Sequence, residues 1–144
     1  MGGLDLNFLD NSYSQSKTTL IDILHKYGTE ICEYAKEYFS YTVATTELDG
    51  EVKTISLYIL APDIPYEYRI LVIEVINISA VKITLFPLTG NPTDVSVNII
   101  NGLDVAESKI KEYLESKTAS QSFHLLVSKI NLKRKSDKNN STQQ

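Results

Sequence analysis

PYEYRILVIEVINISAVKITLF, residues 65–86, is built almost entirely from β-branched, aromatic and aliphatic residues, with one glutamate, Glu74, in its most apolar part. Such composition favours strands, and the stretch is too long to be one. Asn77-Ile78-Ser79 divides it. With those three residues as the turn, Val75 faces Val81, Ile73 faces Ile83 and Leu71 faces Leu85, giving one apolar side. The same register sets Glu74 against Lys82 on the other side, where opposite charges across a ladder are favourable. A shift of one residue would oppose Glu74 to Ile83 and Val75 to Lys82, losing both matches. The stretch therefore reads as an antiparallel hairpin, with strands near 66–76 and 80–87. Glu74 reads as a surface cross-strand partner, not a working carboxylate.

Upstream the alternation continues. Phe39, Tyr41 and Val43 alternate with Ser40, Thr42 and Ala44, and Ile55, Leu57 and Ile59 with Thr54, Ser56 and Tyr58. Taking Leu48-Asp49-Gly50 as a three-residue loop pairs Val43 with Ile55, Tyr41 with Leu57 and Phe39 with Ile59. It also puts Gly50 where a positive φ is needed. A two-residue Asp49-Gly50 turn in a regular ladder would oppose Val43 to Ser56 and mix the faces. Ala61-Pro62-Asp63-Ile64-Pro65 is a stiff link to the next strand. Downstream, Thr89-Gly90-Asn91-Pro92 is rich in turn formers, and Val95, Val97 and Ile99 mark a fifth strand. Hairpin-length links dictate an antiparallel meander.

Helical periodicity flanks these strands. Leu20, Ile23, Leu24, Tyr27, Ile31, Tyr34 and Tyr38 recur at steps of three and four after Ser16, a suitable N-cap, which predicts a helix over 17–37. Asp104 with Glu107 matches a capping box ahead of Ala106, Ile110, Tyr113 and Leu114, which predicts a helix over 105–117. Residues 120–132 fit both periods. Phe123, Leu126, Val127 and Ile130 favour a helix; Phe123, Leu125 and Val127 would suit a strand. The expected class is α+β: an N-terminal helix, an antiparallel meander of about five strands, and one or two C-terminal helices packed on one sheet face. Residues 1–15 are expected to be a flexible arm, 16–132 a single domain, and 133–144 a disordered basic and polar tail.

The chain of 144 residues is long enough for one domain with a real core. Its net charge is −4, and Lys133, Arg134, Lys135 and Lys138 stand against only Asp137 in the last twelve positions, so the rest is more acidic still. An acidic body makes nucleic acid an unlikely partner, since phosphates require clustered Lys and Arg. The single cysteine, Cys32, rules out an internal disulfide and fits a reducing compartment. No secretory leader, myristoylation pattern or membrane-length apolar run is present, so no membrane partner is expected and the expected location is cytoplasmic.

Signals for chemistry are sparse. On a helix His25 and Cys32 lie about 10 Å apart along the axis, too far for a thiol–imidazole pair. His124 has no neighbour at metal-ligand spacing. Glu30, Glu33 and Glu37 read as a solvated helix edge. None of the phosphate-binding, zinc or nucleophile-elbow motifs occurs. No catalytic, cofactor-binding or metal residue is expected, and an enzyme, though not excluded, is not favoured.

The expectation rests instead on the sheet's outer face, where Tyr68, Ile70, Val72, Phe86 and Leu88 would form an apolar centre among hydroxyl-bearing neighbours. Interaction surfaces are built in that way. The first reading is a small protein–protein interaction module, a homodimer or complex subunit, using the outer face of the third and fourth strands. The alternative is a small-molecule binder or enzyme with a tyrosine-lined pocket (Tyr27, Tyr34, Tyr41) between sheet and helices. A weaker alternative is a regulator that contacts nucleic acid through Lys133-Arg134-Lys135.

Overall fold

A computed structural model describes residues 6–35, 37–100 and 102–142, and the side chains in those ranges apart from 6–18, 34 and 139–142. The element order is α1 (Leu6–Tyr34), β1 (Ser40–Leu48), β2 (Glu51–Ala61), β3 (Tyr66–Asn77), β4 (Ala80–Leu85), β5 (Thr93–Asn98), α2 (Asp104–Leu114) and α3 (Lys117–Thr142). The strands form one antiparallel sheet in chain order. This is the α+β architecture that the alternation of periods two and 3.6 predicts.

The central hairpin has the expected register, with Val75 opposite Val81, Ile73 opposite Ile83 and Leu71 opposite Leu85. Glu74 stands across from Lys82, and their charged ends meet at 3.3 Å in solvent. Such an exposed pair is worth a few tenths of a kcal/mol, up to about 1. The turn is tighter than expected. Asn77 pairs with Ala80, a bulge at Ile76 absorbs the odd residue, and Asn77 Oδ1 accepts from the Ser79 amide at 2.8 Å.

The first hairpin departs from expectation in its turn. Leu48 pairs with Glu51, so Asp49-Gly50 is a two-residue turn with φ of 56° and 79° at its central positions. The mixing of faces that seemed to forbid this turn is avoided by a bulge. Thr46 pairs with Thr54 but Glu47 with Val52, which leaves Lys53 as the extra residue and restores apolar alignment. Val43 consequently faces Leu57, and Tyr41 faces Ile59, one step of two beyond the expected pairs.

The helices pack on the face that carries Ile55, Leu57, Ile59, Leu71, Ile73 and Ile83, all fully buried. α1 contributes Leu20, Ile23, Leu24 and Tyr27, α2 contributes Ala106 and Ile110, and α3 contributes Leu126 and Ile130. α1 comes close to β1, because Gly28 presents only backbone to the Tyr41 ring. The capping box does not form. Leu103 occupies the N-cap of α2 without a side-chain bond, and Glu107 turns instead to Lys26 and Tyr27 on α1. Ser116 serves the start of α3, accepting from the Ala119 amide at 3.2 Å.

Two terminal expectations change. The arm expected over 1–15 is helical from Leu6 onward, in a run without Pro or Gly as far as Tyr27; residues 1–5 lie outside the described residues. The stretch expected as a disordered tail continues α3 to Thr142. Its first turn is tied down: Lys133 meets Asp137 at 3.2 Å, and Arg134 donates to the Asp63 carboxylate and the Glu37 carbonyl.

Candidate functional site

Three places in the molecule bear on function: the outer sheet face, a cleft between the helices, and the basic stretch of α3.

The outer face loses much of its expected centre, and one residue accounts for it. Leu57 pairs with Leu71 but Tyr58 pairs with Arg69, so Ile70 is an extra residue that reverses the alternation of β3. Tyr68, expected outside, now lies opposite Ile59 and is 6% exposed, and Ile70 is 1% exposed; both join the buried cluster. The Tyr68 hydroxyl donates to the Phe86 carbonyl, close to Ser122 and Tyr113 of the two C-terminal helices. Leu88 is half-buried, and its amide donates to Ser122 Oγ at 2.8 Å. Val72 and Phe86 are half-buried too, with Val72 between Ser56 and Thr84 across the ladder and the Arg69 guanidinium 4.6 Å above the Phe86 ring. Five expected surface residues thus reduce to Val72 and Phe86.

The cleft lies among all three helices and encloses about 480 Å³. Its base is apolar: Ile31 from α1, Leu114 from α2, Phe123 and Val127 from α3, and Ala35 and Phe39 from the link between α1 and β1. The Phe39 and Phe123 rings lie 6.1 Å apart, tilted by 47°, as aromatic pairs prefer. Its rim is charged or polar: Glu30, Lys111, Glu115 and His124 are all exposed there. Among the described residues these four make no ion pair. Amphipathic periodicity produces this arrangement. The residues at one edge of each helix stripe remain half-buried because three cylinders meeting over Phe39 leave a gap that their side chains do not fill.

Of the three tyrosines expected around a pocket, Tyr27 borders the cleft. Its hydroxyl donates to Glu107 at 3.3 Å, and burial, with the Glu107 charge nearby, raises its pKa above the ordinary value. Tyr41 is elsewhere, its hydroxyl 3.1 Å from His25 Nδ1 and 3.2 Å from Thr29 Oγ1. The Tyr34 side chain lies outside the described residues. Lys26 holds the Glu107 carboxyl below its usual range through a 2.9 Å contact, locking α1 to α2 beside the cleft.

No group of His, Cys, Asp and Glu among the described residues is arranged to hold a metal ion. Cys32 is a half-buried thiol whose pKa burial raises, which disfavours the reactive thiolate. The basic stretch of α3 is partly engaged in the fold, since Arg134 packs 4.7 Å above the Tyr38 ring while holding Asp63. No helix of the described residues is long and apolar enough to cross a membrane. The cleft was not legible in the sequence, because Phe39 lies far along the chain from Leu114 and Val127 and each is an unremarkable member of its own stripe.

In comparisons with known proteins, no protein-family model, no curated protein and no solved structure matches this chain.

Proposed function

We propose that the protein is a ligand-binding module whose site is the cleft among the three helices. The ligand is a small amphipathic molecule, with an apolar body resting on Phe39 and Phe123 and a polar end at Glu30, Lys111, Glu115 and His124. The observation that carries this reading is the volume of about 480 Å³ over an apolar base with a polar rim. Ligand sites usually occupy roughly 300–1,000 Å³ and combine apolar walls with a few converging polar groups. No residue set in the cleft supports catalysis in preference to binding. The expected setting is the cytoplasm, which the free thiol of Cys32 suits.

Ligand-detected NMR with a library of small amphipathic fragments tests this. Fragments with a ring or branched body should bind the wild type and weaken at least about tenfold in Val127→Trp, which fills the cleft with indole. Circular dichroism of the variant should remain that of the wild type. No binding, or binding that Val127→Trp leaves intact, rejects the reading.

A second reading keeps the outer face as a surface for a protein partner. Its support is that Val72 and Phe86 remain half-buried there, on the side of the sheet opposite the described helices. The loss of Tyr68 and Ile70 to the core makes this patch small, which is why the cleft takes precedence.

A further inference from the structure

The sheet has two edges, and they are built differently. β5 is six residues long, follows Pro92 and carries Asp94. Proline and charge are common means of keeping an edge from pairing with another chain. β1 is nine residues long, and from Ser40 to Thr46 it reads SYTVATT, with no charge, proline or glycine. Half of the backbone N–H and C=O groups of an edge strand point away from the sheet. Among the described residues, no backbone hydrogen bond from β1 goes anywhere but to β2. An exposed edge of this kind is a template for another strand.

We propose that this template is for a second copy of the chain, with β1 pairing antiparallel to β1 about a two-fold axis at Val43, so that two five-stranded sheets become one. The register follows from the strand itself. Its pairing with β2 is regular from Ser40 to Thr46 and breaks at the bulge beyond Thr46. The midpoint of that regular stretch is Val43. A two-fold axis there sets Val43 against Val43, Thr42 against Ala44, Tyr41 against Thr45 and Ser40 against Thr46. Every pair joins residues from the same face, as a continuous sheet requires. β-branched and hydroxyl pairs are favourable across a ladder, and like charges directly opposite are not. Glu47 and the acidic turn fall outside the ladder, so a chain of net charge −4 meets its copy along an uncharged line. The interface is isologous, the commonest form in homodimers. It is independent of the helical cleft.

Sedimentation equilibrium and light scattering, over a range up to about 0.5 mM, test the proposal. The wild type should dimerise. Thr42 and Ala44 are exposed, so charged substitutions there leave the monomer folded, as circular dichroism checks. The double variant Thr42→Lys/Ala44→Lys places ammonium groups directly opposite each other across the axis and should weaken the dimer at least about tenfold. Thr42→Lys/Ala44→Glu sets each ammonium against a carboxylate of the other copy and should restore it. A wild type that stays monomeric throughout overturns the proposal. So does a dimer indifferent to the paired lysines, or one that the opposite-charge variant fails to recover.

Discussion

Tyr113 has a hydroxyl that is buried yet lacks a hydrogen-bond partner among the described residues. Its neighbour Tyr68 gives its own proton to the Phe86 carbonyl and lies near enough to act on the Tyr113 phenol electrostatically, but not in hydrogen-bonding geometry. Leaving a buried polar group unpaired costs about 1–3 kcal/mol, which replacement by a shape-matched apolar group recovers in part. Tyr113→Phe is therefore expected to leave stability unchanged or raise it by up to about 1 kcal/mol. Tyr68→Phe should lower it by about 1–2 kcal/mol, since the Phe86 carbonyl loses its donor. Burial, chiefly, raises the pKa of both phenols above the ordinary value. A tyrosine in the unfolded chain ionises near about 10, so above that pH the folded state binds more protons than the unfolded one. Stability is then fully present below about pH 10 and falls as pH rises beyond it, and less steeply in Tyr113→Phe. Urea midpoints at neutral and alkaline pH would show both effects. A Tyr113→Phe loss of several kcal/mol would mean that this hydroxyl has a partner it needs.

At the scale of elements, the contact of α1 with β1 depends on one missing methyl group. A Cβ built on Gly28 would stand 2.6 Å from Cγ of Tyr41, and that ring is held by His25 and Thr29. Alanine in place of a helical glycine gains roughly 0.5–1 kcal/mol in propensity. Overpacking against a fixed ring costs typically 1–3 kcal/mol, so the clash should win. Gly28→Ala is expected to destabilise by about 1 kcal/mol in thermal or urea melts; a more stable variant would show that α1 can slide away from Tyr41. The same scale shows what the sequence could and could not reveal. The 73–83 pairing was legible because both strands alternate cleanly and Glu74 needs Lys82. The positions of Lys53, Ile70 and Ile76 as bulged residues were not. Each is an extra residue in a ladder, placed by the need of distant strands to align their apolar faces, and no local propensity marks it. Ile70 had the largest consequence, since by reversing the alternation of β3 it carried Tyr68 from the expected outer patch into the core. Residues 120–132 fitted both periods, so their helix was not decided by the sequence, and its continuation beyond Ile130 is tied through Arg134 to Asp63 in a link far away in the chain.

Across the whole molecule, the last helix acts as the closing element. Arg134 joins three parts of the chain at once. Its guanidinium reaches Asp63 in the β2–β3 link and the Glu37 carbonyl between α1 and β1, and it lies over the Tyr38 ring. The helix that walls one side of the cleft is thereby fixed at its far end to the links that lead into β1 and β3. Exposed ion pairs contribute at most about 1 kcal/mol, and a cation over an exposed ring about 0.5–1. Part of that is offset by ordering a long side chain. A net contribution of about 1 kcal/mol follows, which in a domain of this size moves the melting temperature by roughly 2–4 °C. Removal of residues 136–144 leaves Arg134 in place and gives up only the Lys133–Asp137 pair, worth a few tenths of a kcal/mol. That truncation should melt within about 1–2 °C of the full chain. Removal of residues 133–144, or the single change Arg134→Ala, should each show the larger drop, and the two should agree closely because both delete the same clamp. Differential scanning calorimetry of the three variants would test the ordering. Equal melting of all three with the full chain would mean that Arg134 holds nothing. A drop already complete on removing 136–144 would place the stabilising contact beyond Lys135.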